Sequence, residues 1–256
     1  MVLKITDICN MGCTHCLSDC TMTSHIKDLM DEDTLWHSID FINKIKPFLL
    51  IVSGGEPCLH PDITKYIEIL RNNIKYTFAI TIVTNGEWVL QNKDTVKDIL
   101  SKNKSNPYIS WQITTDKRYY PRQIDRTDDI WNVDGVILCE EPIQKVYPLG
   151  RALKNNLGED YKCSQCYNFR SIVNQNSSYD FIDAIKELES IQKFCHPCIN
   201  TDGSLTLGES SLCKTVGTIY DSIYDLTEKT RKFSCKQCQW INEQLPDIYK
   251  QYIVFE

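Results

Sequence analysis

"ITDICNMGCTHC", residues 5–16, is the stretch on which the reading of this chain turns. β-prone residues lead into Cys9, Cys13 and Cys16, spaced C-x3-C-x2-C, and a fourth thiol, Cys20, follows four positions later. Four thiols so close together read as a disulfide scaffold, a zinc site or an iron–sulfur site. The surroundings narrow the choice. The chain opens "MVLKITDICN", without a basic segment leading into a long apolar run, so it does not read as a secretory signal. The longest apolar run, "FLLIV" (48–52), is far too short to span a bilayer. The chain is therefore read as cytoplasmic, where thiols stay reduced. Thirteen cysteines, an odd number, are then expected to be ligands or catalytic groups rather than staples.

The 256 residues bury a sizeable core, as one large domain or one domain with a small appendage. A formal net charge of −6 gives no general attraction for phosphate backbones or anionic lipid, which argues against nucleic acid and membrane partners.

Working outward from the cysteines, the first 140 residues alternate strands and helices. "VLKIT" (2–6), "FLLIV" (48–52), "FAITIV" (78–83), "YISWQIT" (108–114) and "GVILC" (135–139) read as strands. "DTLWHSIDFINKI" (33–45), "PDITKYIEILRNNI" (61–74) and "DTVKDIL" (94–100) carry apolar residues at helical spacing, with Pro61 suited to a first turn. Such alternation predicts an α/β fold with a parallel sheet. After about residue 150 the composition changes: seven of the thirteen cysteines fall between 163 and 238. There "SYDFIDAIKELESIQKF" (178–194) reads as a helix, "CINTDGSLTLG" (198–208) as a hairpin turning at Asp202-Gly203, and "LPDIYKQYIV" (245–254) as a closing segment. The expected organisation is residues 1–150 as one unit and 151–256 as a smaller cysteine-rich module.

A structural zinc usually takes two C-x2-C pairs, and this stretch holds one, preceded by an odd C-x3-C. The cysteines follow the first strand, and the C-terminal edge of α/β sheets carries the chemistry. Thiolates are soft ligands suited to iron–sulfur clusters, and three of them leave one iron of a four-iron cluster open. With Asn10 after the first cysteine, the stretch resembles the radical S-adenosylmethionine (SAM) superfamily. Three further motifs sit at the next three strand ends: "SGGEP" (53–57), "TNG" (84–86) and "TTDKRYY" (114–120). Singly these are ordinary turns; together, in order, they match the family.

The resemblance implies a partial (β/α)6 TIM-like barrel. It implies a 4Fe–4S cluster on Cys9, Cys13 and Cys16, with SAM chelated to the fourth iron and cleaved reductively to a hydrogen-abstracting 5′-deoxyadenosyl radical. Cofactor-binding roles fall to His15, in the usually aromatic place before the third cysteine, and to Ser53, Gly54, Gly55, Glu56, Thr84 and Asn85. The two glycines admit backbone close to the ligand, and Glu56 suits the methionine ammonium. Thr114, Thr115 and Asp116 are the candidates near the ribose. Arg151, in "YPLGRAL" (147–153), suits the SAM carboxylate or a substrate anion; the alternative is a packing arginine. Cys20 is expected to stay off the iron, because a fourth thiolate would occupy the place SAM needs.

A second resemblance concerns the later cysteines. Cys198 and Cys213 are spaced C-x9-G-x4-C, and Cys235 and Cys238 follow as C-x2-C. This is similar to the auxiliary-cluster modules called SPASM and Twitch, and the shorter Twitch form fits. It implies a second 4Fe–4S cluster on Cys198, Cys213, Cys235 and Cys238. Cys195 fits in place of Cys198, and Cys163 with Cys166 leaves room for another metal. Cys58 and Cys139 read as core residues. His25, His37 and His60 show no ligand spacing. Lys117, Arg118, Arg122 and Arg126, beside Tyr119 and Tyr120, form either a substrate-lining loop or a solvated one.

These features predict a radical SAM oxidoreductase or maturase. It would be fed electrons by a flavodoxin- or ferredoxin-type reductant and act on a peptide by crosslinking, epimerisation or oxidation. Oxidation or rearrangement of a small metabolite is the competing reading, and a zinc-binding interaction module is the non-enzyme one.

Overall fold

The computed structural model describes residues 1–22, 29–139, 143, 146, 150–157, 173–174, 176–190, 197–207 and 215–232. Five parallel strands come first: β1 (Val2–Thr6), β2 (Leu49–Gly54), β3 (Ala79–Thr84), β4 (Tyr108–Ile113) and β5 (Val136–Leu138). They are joined by α1 (Glu32–Ile45), α2 (Ile63–Asn73), α3 (Glu87–Gln91) and α4 (Lys93–Ser101). The later part adds α5 (Gly150–Lys154), α6 (Phe181–Ser190), β6 (Cys198–Ile199), β7 (Ser204–Thr206), β8 (Thr215–Thr218) and α7 (Ile223–Arg231). The eight described strands make one open sheet, ordered β5-β4-β3-β2-β1-β6-β7-β8. This is the α/β, partial-barrel architecture expected from the alternation.

The element ends have local causes. Asp31 caps α1 by accepting from Thr34 N at 2.7 Å, and Glu32 and Asp33 follow in the first turn, where the helix dipole favours acids. α2 starts at Ile63 rather than Pro61, because residues Pro57–Leu59 form a separate 3-10 turn capped by Glu56. The expected hairpin forms between Cys198 and Thr206, which pair, with Gly203 at φ 77. It does not stand apart from the barrel: β6 runs parallel to β1, with Val2 opposite Cys198. β1 is thereby flanked on both sides, and all five of its residues are buried.

The two faces of the sheet differ. Leu3, Ile5, Leu50, Val52, Ile80, Ile82, Ile109 and Trp111 are wholly buried and pack in one core with Leu35, Ile42, Tyr66, Ile67 and Phe181 of the helices. Burying each such side chain is worth about 1.5–3 kcal/mol. The register places Lys4 opposite Ser53 and Thr81 opposite Ser110, with Gln112 one pleat further along β4, on the other face. A parallel sheet usually reads apolar on both faces; here the second face mixes these polar residues with Val2, Ile51, Ala79 and Val83. Cys58 is buried as expected, whereas Cys139 is half-buried just beyond β5. Among the described residues no helix is long and apolar enough to cross a membrane. Cys163, Cys166, Cys195, Cys213, Cys235, Cys238, His25 and the closing segment 245–254 lie outside the described residues.

Candidate functional site

Because β1–β4 are parallel, the four motifs meet at one edge of the sheet. The loop after β1 carries Cys9, Cys13 and Cys16, each half-buried. Met11 N donates to the Cys9 sulfur at 3.4 Å, and Cys16 N donates to Cys13 O at 3.2 Å. Burial pushes the Cys13 thiol up to about 12, reinforced by Cys9 and Cys16 close by. Burial keeps the Cys9 and Cys13 thiols protonated until a metal replaces the protons, and the three-cysteine donor set fits an iron–sulfur cluster. Among the described residues no set of His, Cys, Asp or Glu side chains converges as on a single metal ion. Cys20 is buried behind the loop, 4.0 Å from Asp7 Oδ1. Its thiol also hydrogen-bonds the Cys16 sulfur, which lowers Cys16 and raises Cys20.

The glycine motif packs against the cysteine loop. A Cβ on Gly54 would lie 2.1 Å from Thr6 O, and one on Gly55 would lie 2.4 Å from Ile8 O. The glycines therefore let the β2 loop press against the cysteine loop itself. Gly55 N and Glu56 N donate to Thr6 O and Ile8 O at 2.7 and 2.8 Å. Glu56, only 3% exposed, accepts from Thr84 Oγ1 at 2.6 Å, Asn85 N at 2.7 Å and Cys58 N at 3.2 Å. Burial raises its pKa against these bonds. Glu56 is thus the rivet between the ends of β2 and β3. Ser53 lies at the end of β2, opposite Lys4.

Asn85 extends the network. Its Nδ2 donates to Asn10 Oδ1 at 3.0 Å, and its Oδ1 accepts from Glu87 N at 3.0 Å. After β4, Thr114 Oγ1 lies 2.9 Å from Tyr120 Oη, and Thr115 Oγ1 donates to Gln123 at 3.3 Å. Asp116 is held by Arg118 at 2.6 Å and by the N–H of Arg118 and Ile143, which keeps its carboxyl well below the usual range. His15 packs between Tyr119 and Tyr120, with ring centroids 5.0 and 5.3 Å away. Its Nδ1 is buried without a hydrogen-bond partner, and burial lowers its pKa.

The arginines are engaged within the chain. Arg151 spends its guanidinium on the cysteine loop: Cys13 O at 3.1 Å, Cys20 O at 2.7 Å and Asp19 at 3.0 Å. Its backbone N donates to Cys16 O at 2.8 Å. These contacts clamp the loop. Likewise Arg118 turns to Asp116, Arg122 to Glu87 and Arg126 to Cys139 O, so this loop braces the site. Sequence reasoning passed over Glu87 and Lys4. Glu87's one signal is its place directly after the "TNG" turn, where Gly86 has φ 87. Of the auxiliary ligand set only Cys198 is described: it is buried on β6, its sulfur 3.7 Å from Ile199 O.

Residues 3–137 match the Radical SAM superfamily, more than half of the chain. The chain belongs to the radical SAM superfamily. A GTP 3',8-cyclase of Psychromonas ingrahamii is 30% identical over 84 residues, covering 33% of this chain and 24% of that protein. An AdoMet-dependent heme synthase of Methanosarcina barkeri is 32% identical over 83 residues, covering 32% of this chain and 23% of that one. The matched stretch spans about a quarter of these relatives. Among solved structures, BtrN in complex with AdoMet and 2-DOIA superposes with TM-score 0.55 at 12% identity, over 90% of this chain and 84% of BtrN. Streptococcus suis SuiB bound to S-adenosylmethionine superposes with TM-score 0.52 at 15% identity, over 91% and 67%. At such identities the likeness is one of fold.

Proposed function

We propose that this radical SAM protein is an enzyme that abstracts a hydrogen atom from a small, oxygen-rich substrate held by the polar side chains of the sheet's second face. In this reading Cys9, Cys13 and Cys16 hold a 4Fe–4S cluster. Bound there and reduced by a flavodoxin- or ferredoxin-type donor, such a cluster would supply the electron for reductive cleavage of SAM to methionine and a 5′-deoxyadenosyl radical. His15, Ser53, Gly54, Gly55, Glu56, Thr84, Asn85, Thr114, Thr115 and Asp116 surround the cofactor. Arg151 and Glu56 keep the loops in register so that the cysteines stay poised.

The observation that carries the substrate class is the set of polar side chains on this mixed face. Lys4, Ser53, Thr81, Ser110 and Gln112 share it, and Thr81 and Ser110 hydroxyls lie 2.9 Å apart. Lys4 is 5% exposed, with its ammonium 2.6 Å from Asp7. Hydroxyls and an amide suit a substrate rich in oxygen, with the Lys4 ammonium neutralised by Asp7 beside them. BtrN, whose structure contains 2-DOIA, matches this chain over most of both lengths. The peptide reading rests on SuiB, solved with its precursor peptide SuiA, which superposes with TM-score 0.51.

Residues 151–256 are proposed to hold the auxiliary cluster, through Cys198, Cys213, Cys235 and Cys238. Anaerobic reconstitution with iron counting tests this: about eight irons per chain support two clusters, and about four remove the second. Dithionite and SAM should then give 5′-deoxyadenosine; none would sink the enzyme reading. Deuterium passing into 5′-deoxyadenosine from deuterated cyclitols or sugars supports the small-molecule class, and transfer only from peptides overturns it.

A further inference from the structure

We infer that Glu87 is a positioning residue for the cysteine loop, acting through Asn10 on the hydrogen bond that Cys9 receives. The inference rests on the proposal that Cys9 is an iron ligand. Glu87 opens α3 and takes Asn10 Nδ2 at 2.7 Å on Oε2. The Arg122 guanidinium faces the same carboxylate, its Nε 2.9 Å from Oε1 and its Nη2 3.2 Å from Oε2. Arg122 Nη2 also donates to Asn10 O at 2.8 Å, and Asn85 Nδ2 closes the ring on Asn10 Oδ1. The side-chain amide and backbone carbonyl of Asn10 are therefore fixed from the loops after β3 and β4.

Asn10 lies between Cys9 and Met11, and Met11 N donates to the Cys9 sulfur at 3.4 Å. Holding the Asn10 peptide holds that N–H. A hydrogen bond to a ligating sulfur withdraws electron density, so it makes the bound cluster easier to reduce. Partners one step from the ligands are worth about 10- to 100-fold in metal affinity. Glu87 thus sets how firmly, and at what potential, the loop holds its metal, without touching metal or substrate.

The test compares reconstituted wild type with E87A, E87Q and R122M. The readouts are the midpoint potential of the paramagnetic signal that responds to SAM, the rate of iron release to a chelator, and the melting temperature of the iron-free chain. E87A should shift the potential to more negative values and release iron about tenfold faster. E87Q keeps one acceptor and should fall between E87A and wild type. R122M removes the bond to Asn10 O, the carbonyl of the peptide whose N–H meets Cys9, and should shift the potential in the same direction at least as far, which keeps the test open if E87A does not fold. Wild-type potential and release rate in the folded variants would overturn the inference, even if melting temperature falls. A wild type that takes up no iron would instead refute the reading of the cysteine loop.

Discussion

Replacing Arg151 by methionine separates two jobs the residue could do. In the structure its guanidinium donates to Cys13 O and Cys20 O, and it pairs with Asp19. A hydrogen bond from a charged donor contributes about 1.5–3 kcal/mol. The Arg151 side chain is 18% exposed, so water compensates little of the loss. The Asp19 pair adds less, about 0–1 kcal/mol, because Lys154 also pairs with Asp19. Methionine keeps the apolar stem and so preserves packing. After allowing for rehydration of the freed carbonyls, R151M should destabilise the iron-free chain by about 2–4 kcal/mol. At this chain length that is roughly 5–12 °C in melting temperature. The assay is thermal unfolding by far-ultraviolet circular dichroism, with SAM binding to reconstituted protein in parallel. R151K keeps the charge without the fork and should recover only part of the loss. An R151M chain that melts with the wild type and only weakens SAM binding would refute the clamp and restore the carboxylate-binding role.

Four further outcomes follow from the same geometry. G55A forces a Cβ to within 2.4 Å of Ile8 O and should cost about 1–3 kcal/mol in urea unfolding; an unchanged midpoint contradicts the close loop contact. H15F removes the buried, unpartnered Nδ1 and should raise stability by about 1 kcal/mol or more. Because burial lowers the His15 pKa, the wild type loses stability as pH falls below about 6.5, and H15F should lessen that loss; unaltered pH dependence tells against it. Asp116 has a depressed pKa, so its stabilisation is present above the unfolded value near 3.9 and is lost as pH falls further. D116N should therefore trail the wild type by about 1 kcal/mol at neutral pH, discounted because Arg118 is 47% exposed, and match it in strong acid. C20A should keep its iron and its SAM cleavage, losing only the thiol bond behind Cys16; loss of either activity or iron means that Cys20 is a ligand.

Strand and helix order can be read from the residues in sequence because apolar periods of 2 and 3.6 are local properties. So can the cysteine spacing and the motifs at strand ends, since a parallel sheet places consecutive strand ends on one edge. α3, β8 and α7 escaped notice: five residues make too short a period, and "TVGT" (215–218) is a strand only beside β7. The hairpin was readable from Asp202-Gly203, but its seat against β1 was not, because Val2 and Cys198 are joined by sheet register alone. The same holds for the jobs of the site residues. Cys13 and Arg151 are 138 positions apart, and nothing near either one names the other. Glu56 is recognisable as the acid of its motif and its bond from Cys58 N is local, yet its bonds from Thr84 and Asn85 come from groups that arrive only when β2 and β3 lie side by side. Residue types and spacing specify which chemistry is available. Which donor meets which acceptor depends on strand neighbours, and those exist only once the chain has packed.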